Sequence, residues 1–148
     1  MSRRRRRYLP GPQCLNCHAP HGGPASPILQ VGGDELCFRC HDRKLADQPV
    51  KHKALEQGCL VCHDAHGSGV PQMLKQADIE ATCRKCHTDM SKHFHKTSST
   101  KLDPSGRPLV CTSCHNPHGG QFPGLLMHDA KRDLCVQCHD PSMAPGGR

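Results

Sequence analysis

A chain of 148 residues with twelve cysteines, thirteen histidines, fourteen glycines and thirteen prolines, but no Trp, one Tyr and three Phe, cannot build an ordinary apolar core. Hydrophobic residues, cysteine included, make up 34 %, against roughly one half in a typical soluble domain, so something other than side chains is expected at the centre. Five of the seven net positive charges come from Arg3, Arg4, Arg5, Arg6 and Arg7, which removes the case for nucleic-acid binding, and no apolar stretch approaches the roughly 20 residues of a membrane helix, so no membrane span is expected.

In chain order, residues 1–13 read as a disordered basic tail, and the remainder as three doubled units with connectors. The first unit, 14–41, opens with CLNCHAPHGG and closes with GDELCFRCH; a connector follows at 42–58. The second, 59–87, opens with CLVCHDAHGS and closes with DIEATCRKCH; its connector is 88–110. The third, 111–139, opens with CTSCHNPHGG and closes with AKRDLCVQCH, before a flexible tail at 140–148. The whole is read as one domain. Each Cys-x-x-Cys-His is expected on a helical turn, with two or three turns of helix over 76–87, where Gly and Pro are absent. Turns are expected at Gly32-Gly33, at the DPSG of 103–106 and around Pro123-Gly124.

Every cysteine belongs to a pair followed at once by histidine: Cys14-Cys17-His18, Cys37-Cys40-His41, Cys59-Cys62-His63, Cys83-Cys86-His87, Cys111-Cys114-His115 and Cys135-Cys138-His139. At the chain's own histidine frequency, six hits in six have a chance probability of roughly five in ten million, so the pattern demands a chemical cause. Cysteine pairs about twenty residues apart also suit a four-cysteine zinc site, but zinc gives no reason for a histidine after each pair. A disulfide scaffold gives none either. Covalent haem c does: two thiols add to the porphyrin vinyl groups, and the adjacent histidine binds iron from one face. On a helical turn the three side chains, at i, i+3 and i+4, leave one face. Six covalently bound haems are therefore expected. Their propionates would carry the formal charge of +7 to about −5 in the reduced protein.

The arrangement CxxCH-x-x-H-G, about a dozen residues, then CxxCH, resembles the doubled-CXXCH multihaem c-type cytochromes over residues 14–139, with Ala65 the one departure where the other units have Pro20 and Pro117. The resemblance implies a mostly irregular chain with short α-helices and little or no β-sheet, wrapped around packed haems. It also implies electron transfer.

Function turns on the second axial position, because an iron with protein ligands on both faces passes electrons whereas an open face binds substrate. Beyond the six proximal ligands His18, His41, His63, His87, His115 and His139, seven histidines remain, enough for bis-histidine ligation of six irons. His21, His66 and His118 recur three places after a proximal histidine and should reach a neighbouring haem. His52, seven residues before Cys59, resembles the family's distal position, and His128 stands equally far before Cys135, where the other units have Gln30 and Gln76. Of His93 and His95, His95 is favoured because His95-Lys96 echoes His52-Lys53. The five methionines share no repeat position and are expected to fill gaps against haem faces.

Covalent haem attachment implies a periplasmic or extracellular site, yet residues 1–12 lack a complete export signal, since Pro10-Gly11-Pro12 stands where an apolar segment belongs; a start codon further upstream is expected. The expected function is electron relay between redox partners, either cytochromes or a quinol-linked oxidoreductase, with a conducting homo-oligomeric filament or a conduit subunit as variants. The rival is a multihaem reductase with one open haem. Nothing in the motifs marks such a haem, and no catalytic residues are assigned.

Overall fold

The computed structural model describes residues 14–25, 28–89 and 98–144, with 98–101 by backbone alone. The basic tail and the His93/His95 pair lie outside the described residues. The chain divides into two compact parts, one ending at Asp42 and one beginning at Arg43.

Regular structure is sparse, as the composition requires. Among the described residues, two α-helices, α1 (Cys14–Cys17) and α2 (Ile79–Arg84), accompany short 3-10 turns and one antiparallel hairpin of β1 (Ser98–Leu102) and β2 (Pro108–Leu109). Five of the six haem-type motifs begin on 3-10 turns or α1, and the fourth lies at the end of α2. The helix expected over 76–87 is shorter than expected, because Asp78 caps it: its Oδ1 accepts the Ala81 N–H at 2.7 Å and fixes the start at Ile79. An ion pair from Arg84 to Glu80, 3.4 Å, spans the exposed side. The hairpin turns at the DPSG segment, where Gly106 N–H donates to Asp103 O at 2.9 Å. Asp103 also accepts from the Ser105 hydroxyl at 2.6 Å and the Arg107 N–H at 2.9 Å.

Each opening motif builds the same double turn. The first turn closes with Gly22 N–H to Ala19 O, Gly67 N–H to Asp64 O, and Gly119 N–H to Asn116 O, at 2.9 to 3.0 Å. Proline at the second place and glycine at the fourth are the residues this turn favours, and Ala65 occupies the proline position without altering it. Asp64 and Asn116 add side-chain bonds to the N–H of His66 and His118, each 3.0 Å. The chain then runs back antiparallel, bridging His18 to Leu29, His63 to Leu74 and His115 to Leu126.

In the first part, Gln30 ties the two motifs together. Its amide donates to Leu15 O and accepts from Arg39, which donates in turn to Asn16 O at 3.1 Å. A structural hydrogen-bonding role thus occupies the position that carries His128 in the third unit.

Among the described residues only Gly119, Gly120 and Ala144 are buried, and Ala144 is the one buried hydrophobic side chain. Leu15, Leu60, Met73 and Met127 remain substantially exposed. Among the described residues the polypeptide has no apolar core of its own. No helix among the described residues is long and apolar enough to cross a membrane.

Candidate haem-binding site

In all six motifs the histidine N–H donates to the carbonyl of the first cysteine, at 2.7 to 3.1 Å. This single turn holds two thiols and an imidazole together, and none of the twelve cysteines is in a disulfide. The attachment points also converge between motifs. Helix α2 packs on the turn Cys111–Ser113, and the Cys83 thiol is pushed up to about 11, first by burial and then by Cys111, with which it hydrogen-bonds, by Cys62 and by Glu80. Cys114 is raised by burial, then by Cys138 and Cys135. Attachment sites of the second and third units therefore sit side by side, as closely packed porphyrins require.

Two of the predicted distal histidines face proximal ones. His63 and His118 have ring centroids 6.0 Å apart with planes inclined by 19°; His52 and His87 have centroids 6.0 Å apart with planes inclined by 21°. A metal held between two imidazoles needs two metal–nitrogen bonds of about 2 Å and two ring radii, which add to about 6 Å. His118 is held below the usual imidazole range by burial first, then by the charges of His63 and His52, so its neutral form is favoured. His21 and His66 are exposed at the third position of their turns, and His128 is half-buried next to Met127.

The structure also assigns the ring nitrogens. His63 Nδ1 lies 2.8 Å from Gln72 O, His115 Nδ1 2.7 Å from Gly124 O, and His52 Nδ1 2.9 Å from Pro117 O. A carbonyl only accepts, so each Nδ1 carries the proton and Nε2 keeps its lone pair, which could bind a metal. Such a bond orients the ring and raises its basicity as a ligand. The carbonyls are aimed by an unusual turn: Gln72 and Met73 both have φ of 56°, Gly124 has 71° and Leu125 has 60°. Ile28, at 54°, holds the corresponding place in the first unit. Left-handed backbone at Ile, Met and Leu is rare, and strain of this kind collects at functional sites. The sequence reading did not find these carbonyls. Their signal is the leucine that ends each return strand, Leu29, Leu74 and Leu126, three residues after Ser26, Pro71 and Pro123.

Six pairs of thiols, each with a histidine on the same turn, define a multihaem c-type cytochrome. The chain belongs to the doubled CXXCH motif family, whose profile matches residues 9–46, 52–92 and 105–144. It is similar to the multiheme cytochrome MtrA of Shewanella baltica (strain OS185), 28 % identical over 152 aligned positions that cover 93 % of this chain and 45 % of the relative. It is also similar to the acrylate reductase cytochrome subunit of Shewanella woodyi (strain ATCC 51908 / MS32), 26 % identical over 109 positions, 74 % of this chain and 65 % of that one. The chain thus spans less than half of the first relative and just under two thirds of the second.

Proposed function

We propose that the chain is a hexahaem electron relay in which every iron is bound by two histidines. Haem supplies the reversible one-electron change of its iron; the chain's residues hold, orient and insulate it. In this reading His118 is the distal ligand opposite His63 and His52 the one opposite His87, while His21, His66, His95 and His128 serve the remaining four irons. The observation that carries the reading is the two pairs of imidazoles with centroids 6.0 Å apart, His52 with His87 and His63 with His118. Two imidazoles per iron favour low potentials and leave no open face for substrate.

The relay works outside the cytoplasm, in the periplasm or at the cell surface, between a donor and an acceptor cytochrome or a quinol-linked oxidoreductase. One relative is a reductase's cytochrome subunit by name, which favours a chain that delivers electrons to a partner over one that carries out a reduction itself. Two measurements test this. Mass spectrometry should find six haems, roughly 3.7 kDa above the peptide. Electron paramagnetic resonance of the oxidised protein should show low-spin ferric iron alone; a high-spin signal would mean an open haem and restore the reductase reading.

A further inference from the structure

The backbone around the two facing pairs is a single crossing. Val50 and Gly120 exchange both backbone hydrogen bonds, Val50 N–H to Gly120 O and Gly120 N–H to Val50 O, each 2.9 Å. Two residues on from Val50, His52 takes its orientation from the Pro117 carbonyl. The residue after Pro117 is His118, which faces His63. The four residues 117–120 therefore carry one distal histidine and hold the other, and the two histidines belong to different irons of the second doubled unit.

Gly119 makes the crossing feasible. Its φ is 119°, and a Cβ there would lie 2.7 Å from Val50 O and 2.8 Å from Gln48 Cβ. Only glycine allows both the backbone angle and the approach. Gly119 and Gly120 are two of the three buried positions among the described residues, so this bridge is among the most enclosed points described in the second part of the chain. An unused histidine loop would not need such closeness.

We propose that the crossing of residues 50–52 with 117–120 is one positioning element that sets the distal ligands of two irons together, those of His63 and His87, with Gly119 as its positioning residue. The inference rests on the bis-histidine reading above. Its consequence is that the two haems of the second unit gain or lose their sixth ligands as a pair, and that the third unit must be folded before either is complete.

The test uses the haem-loaded full chain, with high-spin ferric iron counted by electron paramagnetic resonance against total haem. The wild type comes first: high-spin iron there would overturn the bis-histidine reading itself. With the wild type low-spin, His118→Ala, which removes a ligand and leaves the backbone crossing intact, should make one iron high-spin. Gly119→Ala, which keeps every histidine, should make two. The double variant Gly119→Ala with His118→Ala should still give two, because both act on the same set. One iron or none in Gly119→Ala would overturn the shared element, as would three in the double variant. If Gly119→Ala fails to accumulate with its haems, Val50→Pro decides in its place, since it deletes the donor to Gly120 from the other strand: two high-spin irons support the element, and fewer overturn it.

Discussion

His63 and His118 come from different doubled units, yet their rings face each other at 6.0 Å with planes inclined by 19°. In the proposed bis-histidine reading, the iron at Cys59 and Cys62 takes its second imidazole from the loop that follows a later motif. Exchanging that imidazole for a thioether should retain low-spin iron and raise one potential. His118→Met is expected to shift the midpoint of one haem upward in a redox titration followed optically, with the others unmoved. No upward shift would remove His118 from the iron.

The carbonyl of Gln72 makes the proximal imidazole of His63 a stronger donor. Gln72→Gly keeps a left-handed turn available and should leave the potentials as they are. Gln72→Val places a β-branched residue at φ 56°, a strain of about 1–3 kcal/mol, which should displace the carbonyl and raise the potential of the same haem. Equal potentials in the two variants would show that the carbonyl does not tune the iron.

Ala65 stands at the second place of a turn whose counterparts carry Pro20 and Pro117, and no backbone bond from its N–H is needed to close that turn. Ala65→Pro should stabilise the protein by about 0.4–1 kcal/mol, by restricting the unfolded chain. The check is an increase in the guanidinium midpoint at constant slope, with spin state unchanged.

The Asp103 carboxyl is held down to about 2 by the Ser105 hydroxyl, the Arg107 N–H, the Arg107 guanidinium and the Ser105 N–H. Because the folded value lies below the unfolded one, the carboxylate's contribution to the hairpin is fully present above about pH 3.9 and is lost as pH falls through about 2. The Arg107 amide shift should therefore titrate near 2 in the native protein. A midpoint near the ordinary carboxylate value would contradict the turn's hydrogen bonding.

A chain whose one buried hydrophobic side chain among the described residues is Ala144 cannot offset the entropy of its own ordering. Protein produced without haem attachment should be unfolded, exchanging its amides at unprotected rates. Protected amides at the motif turns would show that the polypeptide holds this fold unaided.

Much of this architecture is legible in the order of residues. The six turns, the three-fold repetition and the absence of a core among the described residues follow from cysteine spacing, from the Asn-Pro-His-Gly type of turn and from sparse apolar residues, all of which act within a few positions. The N-terminus of α2 was set more tightly than its composition indicates, because the Asp78 cap decides it. Gln30 shows the opposite case: at the place that His128 occupies in the third unit, it supplies hydrogen bonds to Leu15 and Arg39 rather than a ligand, and only the fold reveals this.

The sequence by itself determined the six turns that bring two thiols and an imidazole together, because residues at i, i+3 and i+4 lie on one turn whatever the rest of the chain does. Tertiary structure decided which imidazoles face those of His63 and His87, and which carbonyls hold the rings. A second axial ligand must approach the opposite face of a rigid macrocycle, beyond the reach of the turn that carries the first. The residues proposed for that place come from remote segments: His52, oriented by the Pro117 carbonyl 65 residues away, and His118, carried by the same loop.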